Sequence, residues 1–326
     1  MKILVTGGTG FTGTALVKRL SKQGNLVRIL ARNSSDTSMF KNDKVVIQRG
    51  DIRDANSVRN AVAGMDYVYH LAAISRGGAI THKKYWEVNV EGTRNIMDAC
   101  KEKTVRKILH CSTVDVLGSI LKPPADETCP YNPLDYMQKT KCEGEKIALS
   151  YYQKYELPVV VVRPATIFGP GDMRLLKLFQ LIAKKRFIMI GEGKTYAHLI
   201  YIDDLINGFE LCIRKGTAGR IYNFAGTTYV TLNELVQIIA KELRVSLSTK
   251  LKLPVLPIYL LASVCETICA PLGLKPPIFK RRVDFYTKNR AFDISLSVKE
   301  LGYRPGHDLT TEIHLTCEWY KQHGFL

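Results

Sequence analysis

Along the first half of the chain, apolar residues fall into short β-branched runs separated by stretches with helical spacing. Residues 3–6, 26–31, 44–49, 67–72, 107–112 and 158–163 read as strands. Between them, residues 12–23, 55–63, 85–102 and 134–155 carry apolar positions three and four apart, which predicts helices. Strand and helix alternate, so the expected architecture is α/β, with right-handed crossovers building a doubly wound parallel sheet. After residue 163 the rhythm breaks at the glycine- and proline-rich Phe168-Gly169-Pro170-Gly171-Asp172, followed by a helix near residues 175–185.

One later segment departs from this amphipathic pattern. Residues 253–274 are almost wholly apolar apart from Glu266, and the segment approaches the length of a membrane span. Three prolines after Leu253 and a mid-segment carboxylate argue against spanning. The remaining readings are a buried helix or wall of a hydrophobic pocket, and peripheral membrane contact helped by Lys275 and Lys280-Arg281-Arg282. At the other end, Met1 leads at once into the first apolar run, so a cytoplasmic protein is expected, with membrane association left open. The eight cysteines show neither a C-x-x-C pair nor a histidine-rich tract, which points to free thiols and to no metal site.

Charge narrows the partners. The formal net charge is +17, from 47 lysines and arginines against 30 acids, so the surface attracts anions. The excess is dispersed and lacks the basic and aromatic interleaving of a nucleic-acid module. A phosphorylated cofactor, an acidic small-molecule substrate or an anionic surface fits better than nucleic acid.

The chemistry starts at Thr6-Gly7-Gly8-Thr9-Gly10-Phe11-Thr12-Gly13, directly after one strand and opening one helix. Glycines at 7, 10 and 13 let the turn tighten and the backbone approach a pyrophosphate, while the helix N-terminus offers N–H groups to the phosphates. This is a dinucleotide-binding turn of Rossmann type, with Thr9, Phe11 and Thr12 at the ligand. The second strand ends Leu30-Ala31-Arg32-Asn33 with no acid for a ribose 2′-hydroxyl. Arg32 suits a 2′-phosphate instead, so NADP is the expected cofactor and NAD the alternative. Asp51 and Ile52 follow the third strand, where a carboxylate can accept from adenine, and Leu71, Ala72 and Ala73 end the fourth beside the cofactor path.

Together these residues resemble the extended short-chain dehydrogenase/reductases, the NAD-dependent epimerase/dehydratase superfamily. The resemblance spans nearly the whole chain through Asn89-Val90-Glu91-Gly92-Thr93-Arg94-Asn95, Cys111-Ser112-Thr113-Val114-Asp115-Val116-Leu117-Gly118, Thr140-Lys141-Cys142-Glu143-Gly144, Arg163-Pro164-Ala165-Thr166-Ile167-Phe168-Gly169-Pro170 and Tyr201-Ile202-Asp203-Asp204-Leu205. The dihydroflavonol reductase and 3β-hydroxysteroid dehydrogenase branch is the most similar. The resemblance implies a nucleotide-binding domain over residues 1–167, with 199–225 returning to it, and a smaller substrate-binding region over 168–198 and 226–326. It also implies a homodimer, and Asn89, Pro164 and Ile167 at the cofactor.

The family's Ser/Thr falls on Thr113 and its lysine on Lys141. Its tyrosine, four residues before the lysine, does not appear: Met137 stands there, and the nearest phenol is Tyr136. A π-bulge would bring Tyr136 round to Lys141 as the acid/base; a different proton donor and a cofactor-binding protein without turnover are the other readings. The implied activity is NAD(P)-dependent hydride transfer at a hydroxyl or ketone of a small, poorly soluble substrate. Two departures, Thr166 and Ala197 where sugar-nucleotide enzymes carry Asn and Arg, weigh against a nucleotide-sugar epimerase or dehydratase, which stays as the alternative. His198 reads first as a structural histidine.

Overall fold

In the computed structural model, which describes residues 1–41, 43–75, 80–247, 252–269, 274, 277–278 and 280–326, the six apolar runs become strands β1 (Lys2–Thr6), β2 (Leu26–Ala31), β3 (Val45–Arg49), β4 (Tyr67–His70), β5 (Lys107–Cys111) and β6 (Val159–Pro164). A seventh, β7 (Ile221–Phe224), pairs with β6 and gives the order β7-β6-β5-β4-β1-β2-β3, parallel throughout. This is the expected Rossmann-type sheet. Successive strand residues serve opposite faces. Ile3, Val5, Val27, Ile29, Leu109, Val160 and Val162 enter one core, and Leu4, Leu30, Ile108, Val159 and Val161 enter the other. Inner strands such as β1 and β6 are covered on both faces and read as apolar runs, whereas the edge strand β3 leaves Val46 and Ile47 exposed.

The described helices run in chain order as α1 (Phe11–Lys22), α2 (Ala55–Val62), α3 (His82–Trp86), α4 (Gly92–Glu102), α5 (Tyr136–Tyr155), α6 (Leu176–Ala183), α7 (Ile202–Lys215), α8 (Leu232–Glu242), α9 (Val255–Cys269), α10 (Lys280–Thr287) and α11 (Leu309–Gln322). Leu16, Val17, Leu205 and Phe209 of α1 and α7 pack on one face, and Val58, Ile96, Met97 and Ala148 of α2, α4 and α5 on the other. A third core, around Phe168, Phe179, Ile182, Leu235, Ile239, Cys317 and Tyr320, joins α6, α8 and α11 beyond the sheet.

The segment 253–274 corrects one expectation. Its described helix, α9, buries only Ala262, while Leu256, Leu260, Leu261, Val264 and Ile268 lie exposed. It is therefore neither a buried helix nor a pocket wall. No helix among the described residues is long and apolar enough to cross a membrane.

One buried ion pair fastens α5 to the sheet. The Arg163 and Glu145 side chains are 1% and 0% exposed, with Arg163 Nη2 2.6 Å from Glu145 Oε1. Ser112 Oγ and Tyr131 Oη also donate to Glu145, and Arg163 Nη1 donates to the Glu127 carbonyl. Glu145 lies one helical turn beyond Lys141 on α5, and Ser112 lies next to Thr113, so the cluster positions both candidate site residues. Removing one partner leaves an uncompensated buried charge, which typically costs about 3–5 kcal/mol. Glu145→Ala is therefore expected to lower unfolding stability by that amount in a denaturant titration, with Arg163→Met/Glu145→Met far less damaging than Glu145→Ala alone.

Candidate functional site

The sheet reverses direction of winding between β1 and β4, and there the ends of the two strands part to open a crevice. A cleft of about 660 Å³ occupies it. The glycine turn forms its floor. Gly7 has φ +72°, and a Cβ there would meet the Ala72 amide nitrogen at 2.7 Å; on Gly13 it would collide with the Gly7 carbonyl. Gly10 caps α1 without any side-chain hydrogen bond, and the first turn carries no acid. Its unpaired N–H groups therefore face the cleft, as an incoming pyrophosphate requires.

A chain of buried hydrogen bonds braces this floor across the switch point. The Ala72 amide donates to Thr6 Oγ1 (3.2 Å). Thr6 Oγ1 lies 2.9 Å from His70 Nδ1, and His70 Nε2 lies 3.0 Å from Thr93 Oγ1. Thr93 in turn donates to the Asn89 carbonyl (2.8 Å). Since Thr93 commits its proton to that carbonyl, His70 Nε2 must be the donor and Nδ1 the acceptor. Burial pushes His70 down to about 3, with Lys141 adding to the effect, so the ring stays neutral and the tautomer is fixed.

At the end of β2, Arg32 is exposed and lines the cleft with Ser35. Arg49 holds this loop by donating to the carbonyls of Arg32 (2.9 Å) and Ser35 (3.1 Å). Asp51 and Ile52 also line the cleft. Arg53 grips Asp51 through Nε (3.1 Å) and Nη2 (2.8 Å). That grip, with the nearby Arg32 charge, lowers the Asp51 carboxyl below its ordinary range. Sequence reasoning does not single out Arg53; its place two residues after Asp51 is the available signal.

Thr113, Asp115, Met137, Lys141, Pro164 and Ile167 also line the cleft. The Asp115 amide donates to Thr113 Oγ1 (3.2 Å), which leaves the threonine O–H to donate. Lys141 Nζ donates to the Cys111 carbonyl (2.7 Å). Burial lowers the pKa of this ammonium and raises the Cys111 thiol to about 11. Lysine becomes the better acid, while the thiol stays protonated. Lys84, Asp115 and Arg174 are cleft residues that sequence reasoning missed. Lys84 and Arg174 come from segments with no phosphate or catalytic spacing, whereas Asp115 stands two residues beyond Thr113, and that proximity is its signal.

Two expected site residues lie elsewhere. Helix α5 is regular from its first residue, because Asp135 caps it by accepting from the Gln138 amide (2.8 Å) and Lys139 N already reaches Asp135 O (3.0 Å). The bulge that would turn Tyr136 toward Lys141 is absent. Tyr136 stacks on His82 at 3.9 Å between centroids and does not line the cleft. The π-helical turns fall instead at Glu87–Glu91 and Ser297–Leu301. Asn89, on the first of these, is buried and clamps the loop after β4: its Oδ1 accepts from Ile74 N (2.8 Å), and its Nδ2 donates to Ile74 O and Thr140 Oγ1, each at 3.0 Å. It positions the cleft wall without lining it. The other expected cofactor residues, Gly7, Thr9, Gly10, Phe11, Thr12, Gly13, Leu71, Ala72 and Ala73, all line the cleft. His198 is structural, between Gly226 O (3.1 Å) and Phe292 N (3.2 Å).

A parallel sheet with a glycine-floored crevice at its switch point, and a threonine and a buried lysine beyond it, defines a dinucleotide-dependent enzyme. The family model described as NAD dependent epimerase/dehydratase matches residues 3–225, and the chain belongs to that family. It is 27% identical to the N-acetyl-alpha-D-glucosaminyl-diphospho-ditrans,octacis-undecaprenol 4-epimerase of Escherichia coli O157:H7, over 99% of this chain and 96% of that one. It is 28% identical to the 3beta-hydroxysteroid-dehydrogenase/decarboxylase isoform 1 of Arabidopsis thaliana, over 98% of this chain and 79% of that one. Among solved structures, the UDP-glucuronic acid 4-epimerase of Bacillus cereus in complex with NAD is similar at TM-score 0.78 and 25% identity, covering 99% of each chain.

The buried neutral histidines give a pH dependence with a definite sign. His70 is depressed to about 3 and His198 to about 4, both chiefly by burial. Unfolded, each binds a proton near pH ~6.5. The unfolded state therefore holds more protons between those values, and the stability contribution is present above about pH 6.5 and lost as pH falls. Each histidine should weaken the fold by up to about 1.4 kcal/mol per pH unit below about pH 6. Urea midpoints measured from about pH 7.5 down to about pH 5 are expected to fall, and His198→Gln should flatten the fall.

Proposed function

We propose that the protein transfers hydride at a secondary hydroxyl or ketone of an amphiphilic substrate, using a nicotinamide dinucleotide and an acid other than tyrosine. The observation that carries this reading is that Thr113, Met137 and Lys141 line one cleft with the glycine turn, while Tyr136 does not. The cleft fits the cofactor because its floor has no room for a Cβ at Gly7 or Gly13 and the α1 N-terminus is uncapped. When bound, the dinucleotide supplies or accepts the hydride. Thr113 donates its O–H to the substrate oxygen and orients it. Lys141 gives a proton to that oxygen as negative charge develops in reduction, and takes it back in oxidation; burial has already moved its pKa toward the working range. Met137, a buried member of the same lining, adds apolar surface that excludes water.

The preferred cofactor is NADP. Arg32 and Ser35 occupy the end of the cleft where an acid would select the unphosphorylated ribose. Of the two substrate readings, oxidation or reduction of a poorly soluble alcohol or ketone and epimerisation of a sugar, the similarity to an epimerase whose name specifies an undecaprenol-linked sugar joins both: a carbinol carbon on a molecule with a lipid tail. A nucleotide-sugar epimerase or dehydratase is the second reading, favoured by the family match and by the similarity to a dTDP-glucose 4,6-dehydratase.

Two measurements test this. In a calorimetric titration, Arg32→Asp should weaken NADP by roughly 10-fold or more while leaving NAD within a few-fold, as expected for loss of a charge-assisted phosphate contact; equal loss of both removes the 2′-phosphate from the Arg32 role. In turnover assays, Tyr136→Phe should be nearly silent and Lys141→Met should cost about 10²–10⁴-fold, the usual contribution of a positioned acid. The rate of reduction should decline as pH rises through the lowered Lys141 pKa. Met137→Tyr should retain or raise activity. Loss of activity in Tyr136→Phe with Lys141→Met still active would reverse the assignment.

A further inference from the structure

Helix α9 is the one described helix whose large apolar side chains mostly face outward. Leu256, Leu260, Val264 and Ile268, four residues apart, form a stripe in which each side chain is more than half exposed, and Leu261 widens it. The helix has 15 residues and so extends about 22 Å, short of the ~30 Å hydrocarbon core. Its only carboxylate is turned inward, where Glu266 Oε1 accepts from the Lys280 amide (3.1 Å) at the start of α10. The exposed stripe thus carries apolar side chains and no acid.

The surrounding charge identifies what such a face can meet. Between residues 250 and 290 the sequence has eight lysines and arginines against two acids. One of those acids is Glu266, and the other, Asp284, is paired with Lys288 at 3.0 Å. Lys252 and Arg290 pair outside this stretch with Glu192 (2.9 Å) and Asp115 (3.9 Å), so the surplus rests on Lys250, Lys275, Lys280, Arg281 and Arg282 of the sequence. Lys280 Nζ lies 5.9 Å from the Tyr259 ring centre, which puts an ammonium at the edge of the helix. A second copy of this chain would bring two such basic borders together within a molecule of net charge +17, and like charges facing each other oppose that pairing. An anionic lipid surface satisfies both features. Apolar side chains enter the acyl boundary, and the Lys280 ammonium at the edge of the helix meets lipid phosphates.

We infer that α9 docks the protein on an anionic membrane surface, lying in the interface without crossing it. This does not depend on the catalytic assignment, because binding is read without turnover.

Flotation of the purified full chain with vesicles tests it, comparing phosphatidylcholine alone with phosphatidylcholine containing roughly one-third phosphatidylglycerol. The wild type is expected to float with the anionic vesicles and to stay largely behind with the neutral ones. Leu260→Glu/Val264→Glu should reduce binding at least ~10-fold, and Lys280→Glu roughly fivefold, the usual contribution of one basic residue at such a surface. Unchanged circular dichroism and melting confirm the folding of both variants. Leu260→Trp gives a second readout that needs no loss of function: its emission should shift blue with anionic vesicles and be quenched by brominated lipid. The inference is overturned if the wild type remains in the soluble fraction with anionic vesicles, if Leu260→Glu/Val264→Glu floats like the wild type, or if the emission of Leu260→Trp stays unquenched. Dissociation of a dimer in Leu260→Glu/Val264→Glu, by light scattering, together with no flotation of the wild type, would assign the face to a second copy instead.

Discussion

The buried pair of Arg163 and Glu145 is the contact from which the Thr113 and Lys141 end of the cleft takes its geometry. An arginine at the end of a buried parallel strand has lost its water, and only a carboxylate with several donors around it can compensate. Glu145 meets that requirement by also accepting from Ser112 and Tyr131, so strand β5, strand β6, helix α5 and the loop before α5 converge on one acid. Such a pair is a poor source of net stability compared with apolar packing. It does define a register: α5 can seat in only one rotation, and that rotation sends Lys141 and Met137 into the cleft and Tyr136 against His82.

A similar constraint governs the cofactor end. Strands β1 and β4 are neighbours, with Thr6 opposite His70, and their ends diverge because the crossover from β4 runs to the other side of the sheet. A crevice of this kind needs its backbone held while leaving N–H groups free for phosphate. Thr6, His70 and Thr93 do the holding through side chains, which frees the α1 N-terminus for a ligand. Neutral His70 is essential here, since a charged ring would have two donors and no acceptor for the Thr6 hydroxyl.

Most of the fold is legible in the sequence because both faces of the sheet are covered, so the strands appear as apolar runs bounded by glycines and by helical spacing. Strand β7 is harder: Ile221-Tyr222-Asn223-Phe224 is short, and Asn223 is buried with its amide directed at backbone carbonyls, a contact no pattern announces. At the site, residues tied to the glycine turn and strand ends follow from spacing, since position along a strand decides what reaches the cleft. Lys84 and Arg174 do not, because long side chains reach the cleft from segments away from the recognised motifs, and Arg53 is signalled only by its place two residues after Asp51. Asn89 is recognisable by its motif, but it braces the cleft wall where a cofactor contact is expected, since its side-chain hydrogen bonds go to Ile74 and Thr140. Helix α9 looks like core because composition reports apolarity and says nothing about which side of a helix has a neighbour.

Tyr136 shows how a one-residue offset becomes a chemical difference. On a regular helix, neighbouring residues point about 100° apart, and a cap at Asp135 leaves no earlier turn in which the offset could be absorbed. The phenol is therefore excluded from the cleft by the same first turn that places Lys141 in it. A thioether in the phenol's place neither donates nor accepts a proton, but it removes water and lowers the local dielectric around the ammonium. Both effects act on Lys141 in one direction: desolvation destabilises its charged form and makes proton release easier. In the proposed reaction the methionine at position 137 therefore leaves Lys141 as the proton donor, and the same apolar lining is what the proposed amphiphilic substrate would meet.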